Sequence, residues 1–246
     1  MRGRAIRSGL VAATAGAVVA GALLAAPAHA ADGPVYAGKG WKAFTSAGIY
    51  SISPDPYVID FASATARDRL APALKRSAAQ ITEVTGVKVT VSSKLRPGAR
   101  PSCSETPRHM MTFHYKYRPV GKKGMSHAWP CTASANGSAW GGAAAVNSEY
   151  WTTRHYFSKN STTNRVRRDN VIIHELGHLF GLAHVNTDRD RDGRVEGGEC
   201  VQNSAGRKPV MCTPTGGYFT AANGGRYTGE FDELGLEQMA ENYWLR

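Results

Sequence analysis

Apolar positions along this chain follow two periods. Tyr57 to Phe61 and Val87 to Val91 are short β-prone runs that read as strands. Between them Leu70, Leu74, Ala78, Ile81 and Val84 recur at three and four over residues 65–85, the stripe of an amphipathic helix, and Gly86 ends it. Met110–Tyr117 and Trp140–Val146 read as two further strands, joined by a long loop over residues 119–138. Gly141 and Gly142 allow another backbone to come close, whether a bound peptide or a neighbouring element. Val171, Ile172, Ile173, Leu176, Leu179 and Phe180 supply the apolar positions of a second helix, with Asp169 or Asn170 as its cap. Arg165, Arg167 and Arg168 then read as a solvated entry before it. An irregular stretch follows to about residue 228, and Glu230–Trp244 closes the chain as a helix whose first turn Gly235 weakens.

The first 30 residues change the picture of where the protein works. Arg2, Arg4 and Arg7 precede an Ala/Val/Leu-rich run and an Ala28-His29-Ala30 cleavage site, the pattern of a secretory signal peptide. Its removal takes away three arginines and no acid, so the formal net charge of +11 falls to +8. About 215 residues remain, enough for one domain with a single core. The basic charge is spread rather than gathered in a run, so nucleic-acid binding is not expected, and no stretch after the signal is apolar enough to cross a bilayer, so neither is stable membrane association. Residues 31–50, rich in Gly, Ala and aromatics, are expected to be a short pro-segment or an N-terminal strand, with the main domain over 51–246. Cys103, Cys131, Cys200 and Cys212 suit two disulfides in an exported protein. Three pairings are open; Cys103 with Cys131 and Cys200 with Cys212 are favoured because each closes a loop with few regular-structure signals.

The chemistry is concentrated at residues 174–184, HELGHLFGLAH. His174 and His178 are one helical turn apart on one face, so both can reach a single Zn²⁺. Glu175 lies beside them, placed to act on a water rather than to bind the ion. Gly181 can take a left-handed turn that returns His184 as a third ligand. Three protein ligands and an open position mark a catalytic rather than a structural zinc site. By average residue usage the whole pattern arises by chance in about one chain of this length in a hundred thousand.

HExxHxxGxxH resembles the zinc-binding motif of the metzincin endopeptidases, and Gly181-Leu-Ala-His184 is most similar to the matrixins within them. The secreted context also resembles the small bacterial neutral proteases of the snapalysin type, although those usually carry Asp where this chain has His184. The resemblance implies a methionine turn at Pro209–Pro214 with Met211 under the metal. It implies an α+β fold: a twisted, mostly parallel sheet of four to five strands with an antiparallel cleft-edge strand, packed on two long helices, and an irregular C-terminal subdomain ending in a helix. It places the strand before the zinc helix at the cleft edge, and residues 213–218 as the wall of the pocket for the residue after the scissile bond. The tyrosine that some members carry two positions after the methionine is Thr213 here, and Tyr218 receives no role. The activity implied is hydrolysis of polypeptides by a zinc-activated water, with Glu175 as general base and acid, in an extracellular monomer.

Residues 188–199, DRDRDGRVEGGE, form a second pattern. Asp188, Asp190 and Asp192 fall at positions 1, 3 and 5 of a twelve-residue calcium loop, Gly193 at 6, the Arg194 carbonyl at 7, Glu196 at 9 and Glu199 at 12. Without helical flanks this reads as an isolated EF-hand-like loop holding structural Ca²⁺. Two rival functions remain at this point. One is a zinc peptidase using Glu196 or Glu199 as third ligand, and the other is a non-catalytic extracellular binding module stabilised by zinc and calcium.

Overall fold

The computed structural model describes residues 33–214 and 216–245, so the signal segment 1–30 lies outside the described residues. Chain order is β1 (Ala37–Gly38), β2 (Trp41–Lys42), β3 (Ser51–Ile52), β4 (Tyr57–Phe61), α1 (Ala64–Thr85), β5 (Val89–Leu95), β6 (Met110–Lys116), β7 (His127–Ala133), β8 (Ser138–Asn147), α2 (Glu149–Thr152), α3 (Ser161–Leu179) and α4 (Leu234–Glu241). The fold is α+β, with a six-stranded sheet. Its order is β3-β8-β6-β4-β5, all parallel, and β7 pairs antiparallel with β8.

The sheet has more strands than the sequence pattern supplies. The short β3 is one addition. The other is β7, which lies inside the segment read as a loop. Residues 140–146 are not the cleft edge either: β8 runs through the sheet between β6 and β7. The two glycines serve the sheet itself. Gly141 and Gly142 have φ of 145° and 138°. A Cβ on them would stand 2.5 Å from the Met110 carbonyl oxygen and 2.3 Å from that of Trp129. Their smallness lets neighbouring strands approach at a bulge rather than admitting a peptide.

Helix α1 starts at Ser63, whose hydroxyl accepts the Ala66 N–H at 3.1 Å, and ends at Gly86 with φ 70°. Pro72 inside it removes a backbone bond at a cost of about 3 kcal/mol. Full burial of Leu70, Leu74 and Ile81 outweighs that, at about 1.5–3 kcal/mol each. Helix α3 begins nine residues before the expected cap. Asn160 caps it by accepting the Thr163 N–H at 2.9 Å, while Asp169 and Asn170 are interior. The three arginines expected to precede the helix therefore lie on it. Both long helices pack on the sheet and on each other, and Asp169 pairs with Arg76 of α1 at 2.8 Å.

Residues 35–50 join the same body. Backbone bonds link Phe44 N–H to the Gly181 carbonyl at 2.7 Å and Ala183 N–H to the Lys42 carbonyl at 2.9 Å. The C-terminal element begins as a π-type turn at Gly229–Glu233 before α4. Gly235 is needed there, since a Cβ would stand 2.7 Å from the Cβ of Trp41. Asn242 then holds the N-terminal segment, donating to the carbonyls of Val35 and Tyr50 at 2.7 and 2.6 Å.

Candidate metal centre and cleft

The last two turns of α3 carry His174, Glu175 and His178 into the interior. At Gly181 the chain turns with φ 90°, where a Cβ would stand 2.3 Å from Ile49 Cγ2. The turn delivers His184 to the same point. Its Nε2 lies 3.0 Å from Nε2 of His174 and 3.1 Å from Nε2 of His178.

The outer ring nitrogens determine what these contacts mean. His174 Nδ1 donates to the Val210 carbonyl at 2.9 Å, and His178 Nδ1 donates to the Leu182 carbonyl at 2.7 Å. A carbonyl only accepts, so both Nδ1 atoms carry hydrogen and both Nε2 atoms present lone pairs. His184 can offer one Nε2–H at most and cannot satisfy both. A cation resolves the conflict. A tetrahedral ion with bonds of about 2.0–2.1 Å holds its ligands about 3.3–3.4 Å apart, close to the observed spacing. Burial lowers the His174 pKa to about 4 and that of His178 well below the ordinary imidazole value, and burial with Lys42 nearby lowers that of His184. The three rings are therefore neutral at physiological pH, as metal ligands must be. His174, His178 and His184 thus form a site able to hold a metal ion. Neither Glu196 nor Glu199 joins the cluster.

Glu175 is buried next in the chain to His174, and burial raises its carboxyl to about 8. A dication held by the imidazoles would pull it the other way. The carboxyl opens on a cavity of about 290 Å³. Its lining comprises Gly124–Ala128, which form a rim, residues of α3 from Arg167 to His178, and a wall of Val210, Thr213, Pro214 and Gly216. The strand at this cleft is β7, which begins at His127 in the rim. Tyr218 does not line the cavity; its carbonyl accepts a bond from Asn170 Nδ2 at 2.7 Å.

Met211 is fully buried against α3, its Sδ occupying the space beside Gly177, where a Cβ would stand 2.5 Å away. The glycine between the two helical histidines thus admits the methionine. Asp232 supports this turn and was not singled out by sequence reasoning. Its carboxylate accepts the N–H groups of Val210 at 2.8 Å, Met211 at 3.2 Å and Thr228 at 3.0 Å, and the Thr228 hydroxyl at 2.5 Å. Burial raises its pKa against the pull of these four donors. The Val210 carbonyl, in the same peptide group as the Met211 N–H, holds His174, so Asp232 acts on His174 at one remove. Its only local signal is one acid among several at the start of the terminal helix. Asn170, expected as a cap, instead ties α3 to the wall, donating to Gly216 and Tyr218 carbonyls and accepting from Gly225.

The acidic loop divides its predicted ligands. Carboxylate oxygens of Asp188, Asp190 and Asp192 lie within 4.8 Å of one another, and Asp188 Oδ1 is buried without a partner among the described residues. Gly193 turns the loop with φ 90°, and its N–H bonds Asp188 Oδ2 at 2.9 Å. Three clustered carboxylates, one of them with an unpartnered oxygen, are a donor set suited to a hard cation. Glu199 folds back on the loop instead, accepting N–H groups of Arg189, Asp190 and Glu196, which lower its pKa to about 2. Glu196 does not join the three aspartates, and the Arg194 N–H bonds Asp192 Oδ1 at 2.9 Å. Disulfides join Cys103 to Cys131 and Cys200 to Cys212, the second tying the end of this loop to the Met211 turn.

No protein-family model matches this chain, and no characterised protein matches it in sequence. Among the described residues no helix is long and apolar enough to cross a membrane, and the two disulfides fit an oxidising compartment.

Proposed function

We propose that this chain is a secreted, metzincin-like zinc endopeptidase that acts on polypeptides as a monomer. The observation that carries the reading is the convergence of three neutral imidazoles beside one buried carboxyl at the wall of an open cleft. An all-imidazole set with an open side suits zinc. Bound there, the ion would supply Lewis acidity toward a peptide carbonyl and toward water.

The chain's own groups do the rest. Glu175 accepts the proton of the attacking water at its carboxylate and returns it to the departing amine nitrogen. Phe44 and Ala128 give the cleft apolar walls that limit competing water. Strand β7 pairs on one side with β8 and would align an extended peptide on its other side by backbone hydrogen bonds. The acidic loop is proposed to hold Ca²⁺ through Asp188, Asp190 and Asp192. The third-ligand role once open to Glu196 or Glu199 has no support in their positions.

The test is metal analysis together with digestion of an unfolded protein substrate. Glu175→Gln is expected to retain one equivalent of zinc and lose at least about a hundredfold in kcat/KM. His184→Ala is expected to lose zinc while Glu199→Ala keeps it. Full peptidase activity in Glu175→Gln, or no digestion by a zinc-loaded wild-type protein, would overturn the reading.

A further inference from the structure

The arginine cluster before the zinc motif does not behave as one solvated group. Arg168 lies over the Trp151 ring at 5.5 Å and donates to the Tyr150 carbonyl at 3.4 Å. Arg76, on α1, is neutralised by Asp169. Arg167 differs from both. It lines the cleft, on the α3 face that continues through Asn170, Val171, His174 and Glu175. Seven residues separate it from His174, about 10 Å along the axis. Among the described residues it has no carboxylate within ion-pair distance. Among the described residues its one side-chain hydrogen bond is a long one, from Nη1 to the Phe157 carbonyl at 3.5 Å, and its Nε is buried with no partner. The Phe219 ring covers the guanidinium at 5.5 Å. A head group free in water would not have a buried, unsatisfied Nε–H. A guanidinium that lines a cavity without an anion of its own is a receptor for a carboxylate.

We infer that Arg167 is a specificity-determining residue that selects substrates with an acidic side chain, glutamate above all, immediately after the scissile bond. This rests on the peptidase reading for the word substrate, and on the cavity geometry alone for the carboxylate. Glutamate is favoured over aspartate because Arg167 stands about two helical turns from His174 along α3, a span that the longer side chain covers better. A glutamine in the same place has the same shape but lacks the charge, so the Glu/Gln comparison isolates the ion pair.

The experiment uses the zinc-loaded protein and a peptide library randomised around the cut, followed by matched peptides with Glu, Gln, Leu or Lys at that position. The wild type is expected to prefer Glu over Gln by about ten- to hundredfold in kcat/KM, the range of a hydrogen bond to a charged group. Arg167→Met should bring the ratio to near one, and Arg167→Glu should turn the preference to Lys. Each ratio is internal to one protein, so a smaller folded fraction cancels. A wild-type ratio near one, acid enrichment at another position only, or an unchanged ratio in Arg167→Met overturns the inference. A parallel calorimetric arm compares short peptides with N-terminal Glu and Gln as cleft ligands. Tighter binding of the Glu peptide without any cleavage would overturn the peptidase reading and leave the carboxylate receptor standing. Equal binding of the two would overturn the receptor.

Discussion

Asp232 and His174 are 58 positions apart, yet one peptide group connects them. The carboxylate holds the Val210 and Met211 N–H groups, and the Val210 carbonyl fixes the His174 tautomer. An amide at 232 has one acceptor oxygen where two now serve four donors. Asp232→Asn leaves buried donors facing an NH₂ group, each costing about 1–3 kcal/mol. We expect a loss of about 2–4 kcal/mol in urea unfolding and about tenfold weaker zinc retention in chelator competition. Thr228→Val is the control: it removes one donor to Asp232 without touching the 210–211 peptides, so stability should fall with zinc affinity unchanged. Equal zinc loss in both variants would mean that Asp232 acts only through general stability. The three converging histidines themselves were legible because helical period and one glycine turn dictate their convergence. Asp232 and Arg167 were not, since their roles depend on what folds against them across 22 and more positions.

At the scale of elements, local pattern succeeded where one face is buried and failed where polar groups do the packing. The Leu70–Ile81 stripe marks α1 because its inward positions are apolar. The first half of α3 escaped because its inward positions include Asn164 and Asn170, whose hydrogen bonds replace apolar contacts. Strand β7 escaped because it contains Pro130, tolerated at a sheet edge where no partner strand needs its missing N–H. The rim loop before it is fixed by Glu149, which accepts from Arg118 Nε at 2.8 Å, Gly124 N–H at 2.9 Å and Asn147 Nδ2 at 2.9 Å. The Gly124 N–H foremost, then Arg118 and Asn147, lower the Glu149 pKa below its ordinary 4.5. A lowered carboxyl pKa stabilises the fold above the unfolded value and loses that contribution as pH falls through the folded one. Glu149→Gln should therefore melt below wild type at neutral pH, with the two curves converging as pH drops below about 4.5. It should also raise KM, because Gly124 and its neighbours form the cleft rim. Parallel melting curves across that acid range would remove Glu149 from the account.

For the molecule as a whole, the acidic loop links the two halves of the metal centre. It starts just after the His184 turn, and the Cys200–Cys212 disulfide anchors its end to the Met211 turn. Asn186 joins it to the cleft wall, its Oδ1 accepting the Thr213 N–H at 3.0 Å and its Nδ2 donating to the Thr213 carbonyl at 2.7 Å. The Gly198 N–H bonds the same carbonyl at 2.6 Å. A cation held by Asp188, Asp190 and Asp192 would then order the loop, the methionine turn and the wall together. Without it, three close carboxylates repel one another, opposed only by the Glu199 and Gly193 hydrogen bonds and the anchors at the loop's ends. An ion that binds only the folded state adds about 2.7 kcal/mol at a hundred times its dissociation constant, or about 5–10 °C in melting temperature for a domain of this size. Calorimetry in zinc-replete buffer with and without calcium should show that shift, and kcat/KM should fall as the wall at Thr213–Pro214 loosens. Asp190→Ala should melt like the calcium-free wild type and gain nothing from added calcium. If calcium stabilises Asp190→Ala as strongly as wild type, the ion acts elsewhere, and the coupling between loop and cleft must rest on the disulfide and the Asn186 bonds alone.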